Sequence, residues 1–199
     1  MKAAMNDKPN LRARLRAERR AHVAALPDGI RALILSRPPA PVATRIPQGA
    51  TVGLYHPAPD EAPTSGYARW LMEQGHPIAL PWFAGRQSAM EFRRWADPFD
   101  LSDLEPGPFG LLQPRADAAR AVPDVLFVPL VGFTAGGDRL GQGGGHYDRW
   151  LAANPAALAI GLAWDVQEVP TLPAEPHDRP LAAVVTPTRI LAGHGWEPA

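Results

Sequence analysis

Apolar positions in the first 26 residues recur at helical spacing. Leu11, Leu15, His22 and Leu26 fall along one line, which predicts a helix over residues 9–26. Pro9 suits its first turn, and Asp7 lies just ahead of it. A shorter helix is predicted over 28–36, and the proline-rich residues 37–49 read as an irregular link. From there the pattern alternates. Strands are predicted at 51–55 and 77–81, with a helix over 67–74 ended by Gly75. Residues 90–95, with Phe92 and Trp95 among charges, read as an edge strand, and 97–114 as a loop. The apolar run 125–128 is a buried strand that resumes at 132–134. A helix-like pattern returns at 147–151, a strand at 157–163 and a last strand at 182–185. Strands and helices in this order predict an α/β three-layer α/β/α fold around a mainly parallel sheet.

Length and composition narrow the class. A chain of 199 residues reads as one domain over 1–199, with 1–36 as an N-terminal basic helical segment. It is long enough to bury a core. The formal net charge is zero, so no global field draws in nucleic acid or a membrane surface. Cysteine is absent, which excludes disulfides, Cys-based zinc sites and thiol catalysis. No apolar run approaches the roughly 18 residues of a membrane span, and the N-terminus lacks a signal-peptide core, so the expected location is cytoplasmic. The prolines concentrate at 38–47, 57–63 and 170–180, where they read as connectors.

The densest signal lies between the strand at 125–128 and the helix at 147–151. Gly136, Gly137, Gly141, Gly143, Gly144 and Gly145 crowd this stretch. Glycine costs backbone entropy, so such a cluster needs a reason. A backbone that must approach a ligand, with amides turned to an anion at a helix N-terminus, is one. A long surface turn is the other. Gly136 and Gly141 have Walker spacing, but Gln142 and Gly143 follow where Lys and Ser or Thr are required. A dinucleotide fingerprint would need glycine where His146 stands, and G-x-S-x-G is absent. A nonstandard phosphate cradle remains. In it Arg139 can offer a bidentate cation. Asp148 can hold a magnesium ion bridging phosphates, or act as an ordinary first-turn charge.

Four cations, Lys8, Arg12, Arg16 and Arg19, share one line of the first helix. They read as a solvated basic face or as reaching a phosphate. A nucleic-acid interface is disfavoured by neutral charge and by the lack of a second basic cluster with interleaved aromatics. Glu61 follows a strand, where ligands gather in open α/β sheets, and reads either as a ligand contact or as a surface carboxylate. His56 alone reads as a surface histidine. Phe109 could cap the core or offer an aromatic face to a planar ligand.

Arg139-Leu-Gly-Gln-Gly-Gly-Gly-His-Tyr-Asp-Arg149, preceded by Val128-Pro-Leu-Val-Gly-Phe133, closely resembles the signature of the 5-formyltetrahydrofolate cyclo-ligase (methenyltetrahydrofolate synthetase) family. Weaker likenesses follow in order along nearly the whole chain. They are Lys8-x-x-x-Arg12, the segment from Tyr55 to Glu61, Leu104-Glu-Pro-Gly-Pro-Phe-Gly110, Ala159-Ile-Gly-Leu-Ala163, Leu172-Pro with Pro176-His-Asp178, and Val184-Val-Thr-Pro187. The resemblance implies that family's architecture, related to NagB/RpiA/CoA-transferase-like folds. It implies ATP- and magnesium-dependent closure of 5-formyltetrahydrofolate to 5,10-methenyltetrahydrofolate by a protein acting on small molecules, with no nucleic-acid or membrane partner; a monomer is expected, with an oligomer left open.

By that resemblance Lys8, Arg12 and Arg139, Leu140, Gly141, Gln142, Gly143, Gly144, Gly145, His146 and Tyr147 match ATP-binding positions. Residues Gln142, Gly143, Gly144, Gly145 and His146 also face the folate, with His56, Glu61 and Phe109. Arg139 and Glu61 match catalytic positions, and Asp148 and Asp178 match magnesium positions. The chain departs from the family at Gln142, usually basic or bulky; at His146, usually Tyr or Phe; at Ala62, usually an aliphatic β-former; and at His56, in an apolar wall. A nucleotide-binding regulatory module of the same fold, without folate turnover, is the alternative.

Overall fold

A computed structural model describes residues 8–173, 175, 176 and 178–196. Asp7, ahead of the first helix, and His177, within the C-terminal motif, lie outside the described residues. The chain opens with helices α1 (Lys8–Ala25), α2 (Asp28–Leu33) and α3 (Ala40–Ala43). Strand β1 (Val52–Gly53), helix α4 (Ser65–Glu73) and strand β2 (Ile78–Trp82) form a right-hand half of the sheet with β3 (Glu91–Arg94). A small hairpin of β4 (Leu104–Pro106) and β5 (Leu112–Pro114) precedes β6 (Arg120–Ala121) and β7 (Val125–Pro129). A second small hairpin, β8 (Gly132–Phe133) with β9 (Arg139–Leu140), leads into α5 (His146–Ala153). Strands β10 (Leu158–Leu162), β11 (Ala183–Val185) and β12 (Ile190–Ala192) complete the chain.

The main sheet has eight strands in the order β12-β11-β10-β7-β1-β2-β3-β6. From β11 to β2 every neighbour is parallel, while β12 at one edge and β3 and β6 at the other are antiparallel. This is the expected mainly parallel α/β fold. Strands buried on both faces read as unbroken apolar runs, and β7 shows why. Its Val125 and Phe127 face the cluster holding Tyr67, Ala68 and Leu71 of α4, while Leu126 and Val128 face the cluster holding Leu151 of α5. Phe127 meets Tyr67 edge to face at 5.2 Å between centroids. One helix layer thus covers each face.

Several boundaries differ from the sequence pattern. Residues 34–36 are not helical, and Leu35 turns with φ of 55°. The link at 37–49 contains α3, where prolines occupy the first turn. Residues 90–95 do not form an edge, because β3 pairs with β6 beyond it. The 97–114 loop contains the β4–β5 hairpin, and the strand at 182–185 is followed by β12. Strands of two or three residues are too short to display a period. At β1, the central position of Gly53 leaves no room for a side chain: a Cβ there would lie 2.6 Å from Leu126 Cδ1 and 2.8 Å from Pro123 Cγ.

Helix α1 is docked through a third, smaller apolar cluster, in which Leu15 meets Val131, Leu140 and Val169. Leu15 is 1% exposed, and its Cδ1 fills the space that a Cβ on Gly132 would take. Among the described residues, no helix is long and apolar enough to cross a membrane. Leu15→Ala is expected to lower unfolding free energy by about 2–5 kcal/mol, measured by urea denaturation, and to speed tryptic cleavage at the exposed Arg14 and Arg20. A loss below about 1 kcal/mol would show that α1 is held by its charges alone.

Candidate functional site

The strands are parallel, but their order of succession steps from β1 to β2 toward one edge of the sheet and from β7 to β10 and β11 toward the other. The order therefore reverses between β1 and β7. Open α/β sheets leave a crevice beyond the carboxyl ends of strands at such a point. Here it is a cavity of about 450 Å³, lined by Tyr55 and His56 after β1, Pro81 and Phe83 at the end of β2, and Pro129 at the end of β7. Every residue that the family resemblance matches to a site position lines this one cavity: Lys8, Arg12, His56, Glu61, Phe109, the stretch from Arg139 through Asp148, and Asp178; Arg16, Arg19, Gly136 and Gly137 are not part of its lining.

The floor is the glycine loop. After β9 buries Arg139 and Leu140, residues 141–145 run to the N-terminus of α5. Gly143 has φ of 108° and Gly145, at the cap, φ of 63°, conformations that side chains rarely adopt. Gly143 also lets the Arg12 guanidinium carbon approach to 3.5 Å from the place a Cβ would occupy. Arg12 Nε donates to Gly141 O at 2.8 Å. Arg16 Nη2 donates to Gln142 O at 3.1 Å and to its Oε1 at 2.7 Å. Arg19 is 3% exposed and donates to Asp60 Oδ2 and to Leu130 O. The basic line of α1 is therefore not a solvated face. It is docked on the loop and on the wall of the cavity.

Cations and carboxylates also meet at Arg139 and at Lys8. Arg139, buried, donates from Nη2 to Asp148 Oδ1 and from Nε to Arg179 O at 3.1 Å. Burial lowers the Arg139 pKa, and Asp148 works against that shift. Lys8 Nζ donates to Glu175 Oε2 at 2.7 Å and to Asp178 Oδ2 at 3.1 Å. Desolvation opposes the Lys8 charge, but these two carboxylates outweigh it and raise its pKa. The hydrogen bonds of Asp148 fall on Oδ1 and those of Asp178 on Oδ2. Each carboxylate keeps a second oxygen for a ligand. Among the described residues no group of three or more His, Cys, Asp or Glu is placed to hold a metal. Magnesium needs only one or two protein carboxylates when phosphates and water complete its shell, so this donor set fits it.

The opposite wall is of another kind. Glu61 is 8% exposed, not a surface carboxylate; its Oε2 accepts from Ala58 N at 2.9 Å and its Oε1 from Gln142 Nε2 at 3.0 Å. His56 is half-buried, and its Nδ1 is buried with no hydrogen-bond partner among the described residues. Phe109 does not cap the core. It is 43% exposed, with its ring 4.9 Å from Phe83 and 5.6 Å from His146. Gln113 holds Phe83 in place by bonding both its backbone N, at 3.1 Å, and its O, at 3.2 Å. Arg149 Nη2 lies 3.2 Å from His146 Nδ1. A guanidinium only donates, so Nδ1 is the acceptor there.

The sequence pattern did not single out Tyr55, Phe83, Gln113 or Glu175 as cavity residues, although all four line it. Gln113 carried no signal, being a polar residue in a segment that read as loop. Arg16 and Arg19 carried one, their place on the basic line, but nothing in the pattern distinguished the buried cation from the exposed one.

Comparison with known proteins gives the family. The chain belongs to the 5-formyltetrahydrofolate cyclo-ligase family, which it matches over residues 4–187. It is 43% identical over 79 residues to the 5-formyltetrahydrofolate cyclo-ligase of Haemophilus influenzae, covering 37% of this chain and 42% of that one. To the Escherichia coli K12 protein of that name it is 36% identical over 127 residues, covering 61% and 64%. The matched stretch thus spans less than two thirds of either relative. The solved 5,10-methenyltetrahydrofolate synthetase of Aquifex aeolicus superimposes with a TM-score of 0.73 over 97% of this chain and 96% of that one, at 23% identity. That likeness carries the fold.

Two histidines on this site should titrate low. Desolvation lowers the pKa of His56, and desolvation together with Arg149 lowers that of His146. The unfolded chain then takes up protons first as pH falls through about 6.5, so the stability tied to the neutral rings is complete above that pH and is lost as pH falls toward the folded midpoints. NMR titration should place both midpoints below 6.5, and the urea midpoint should fall between about pH 7 and pH 5.5. A midpoint at or above 6.5 for His56 would mean that its ring is solvated.

Proposed function

We propose that this chain catalyses the ATP-driven cyclisation of 5-formyltetrahydrofolate to 5,10-methenyltetrahydrofolate, with release of ADP and phosphate. One observation carries the reading. In a member of this family, a single cavity joins a glycine-floored cationic half to a half built from a buried carboxylate and aromatic rings.

A formyl oxygen on N5 is a poor leaving group. Transfer of the γ-phosphoryl group to it makes an iminium-like phosphate; N10 attacks the formyl carbon, loses its proton, and phosphate departs with the oxygen. Such transfers need positioning and charge neutralisation more than covalent help. Lys8, Arg12 and Arg139 supply the charge, and the amides of Gly141, Gln142, Gly143, Gly144 and Gly145 cradle the phosphates, with Leu140 and Tyr147 at the loop's two ends. Asp148 and Asp178 would hold magnesium, which when bound neutralises phosphate charge. Glu61 accepts hydrogen bonds from the amino and ring NH donors of the pterin. His56, Phe109 and His146 wall its ring, and His56 Nδ1, which has no partner among the described residues, offers it one polar contact. All of this belongs to one domain, with α1 as its basic helix.

The first test is absorbance at the methenyl band with 5-formyltetrahydrofolate, ATP and magnesium. Absence of ATP-dependent product at micromolar enzyme would sink the reading, and ATP binding without turnover would favour a regulatory module. Asp148→Asn keeps an acceptor for Arg139 and Arg179 while removing the charge. It is expected to lose at least about 100-fold in kcat, as is Arg139→Ala. Turnover near wild type in either would misplace the phosphate site. Glu61→Gln should raise the folate KM or lower kcat with ATP affinity unchanged; an equal fall in ATP affinity would place Glu61 on the nucleotide side.

A further inference from the structure

Gln142, in the glycine loop, has a specific pair of side-chain partners. Its Oε1 accepts from Arg16 Nε at 3.0 Å and from Arg16 Nη2 at 2.7 Å, while its Nε2 donates to Glu61 Oε1 at 3.0 Å. These partners lie 126 and 81 residues away in the chain. The orientation of the amide is dictated by chemistry. A guanidinium has only donors and an ionised carboxylate only acceptors, so the oxygen must face Arg16 and the nitrogen must face Glu61.

The other groups around Glu61 show what this contact does. Ala58 N fixes Oε2 at 2.9 Å. Arg19 Nη1 stands 3.9 Å from Oε1, beyond hydrogen-bond reach, and is already engaged by Leu130 O at 3.2 Å. Tyr55 and Tyr147 also sense the Glu61 charge, from the segment after β1 and from α5, and Asp60 adjoins it in sequence. Of these groups, Gln142 alone donates a hydrogen bond to Oε1. Without it, the carboxylate is free to turn about its fixed oxygen toward the Arg19 cation.

We propose that Gln142 is a positioning residue: its side-chain amide, set by Arg16, holds the Glu61 carboxylate against the pull of Arg19 and keeps it aimed at the substrate ring. The contact also fixes the distance between the glycine loop and the carboxylate wall. A substrate that reaches both therefore meets a spacing set by the chain before binding. The inference rests on the reading of Glu61 as the carboxylate that meets the pterin.

The test uses the full chain with 5-formyltetrahydrofolate, ATP and magnesium, and compares wild type with Gln142→Leu, Gln142→Glu and Arg16→Leu. Gln142→Leu is expected to raise the folate KM about tenfold, the scale of one hydrogen bond to a charged group, with the ATP KM within about twofold of wild type. Gln142→Glu keeps the acceptor for Arg16 but removes the donor, and should show a deficit at least as large. Arg16→Leu, which frees the amide to turn over, should raise the folate KM by a smaller factor. Folate KM values equal to wild type in both Gln142 variants would overturn the proposal. So would an ATP KM that rises as much as the folate KM. A wild-type chain that forms no methenyl product would bring down the underlying reading and this inference with it; an active wild type with unaffected variants would bring down this inference alone.

Discussion

Arg19 is the contact on which the rest of the site depends. Its guanidinium is nearly sealed from solvent, yet it joins three segments: α1, which carries it; the loop after β1, through Asp60; and the chain after β7, through Leu130 O. A buried cation is tolerated only when paired and hydrogen-bonded, and removing a partner leaves an uncompensated charge. The pairing with Asp60 at 3.0 Å therefore restricts α1 to one seat. Leu15 fills the apolar half of that seat. From it the helix delivers Arg12 and Arg16 to the glycine loop and Lys8 to the C-terminal segment.

A second regularity follows from that seat. The cations around the cavity are engaged by the chain's own groups: Lys8 by Glu175 and Asp178, Arg139 by Asp148, Arg12 and Arg16 by loop carbonyls. A site with this much positive charge and partial burial would otherwise repel itself. The acids that neutralise the cations include Asp148 and Asp178, the two carboxylates proposed to hold magnesium.

The glycine loop links the two halves. Its backbone supports Arg12 from below, its side chain at Gln142 reaches Glu61, and its exit at Gly145 starts the helix that carries His146, Tyr147 and Asp148. Glycine at 143 and 145 is called for by positive φ, while a Cβ at 143 would meet Arg12 only at ordinary contact distance. The cost of those glycines is local entropy, and what they permit is close approach of backbone to charge.

The amino-acid sequence by itself determined the α/β order, the central buried strand at β7, the helix at α1 and the glycine stretch, because each is written in local periodicity or in composition that few folds allow. It also carried the family, since the loop motif is contiguous. It did not determine that the basic line of α1 is docked, that Arg19 is buried where Arg14 is exposed, that Phe109 walls a cavity, or that Gln142 meets Glu61. It left several short strands unmarked: β6 and β9, of two residues, and β4, β5 and β12, of three, gain their pairing from neighbours. The docked helix, the buried cation, the aromatic wall and the Gln142–Glu61 bond rest on contacts between residues tens to more than a hundred positions apart. Only the closing of the sheet brings such residues together, and only then does burial decide which charges must find partners.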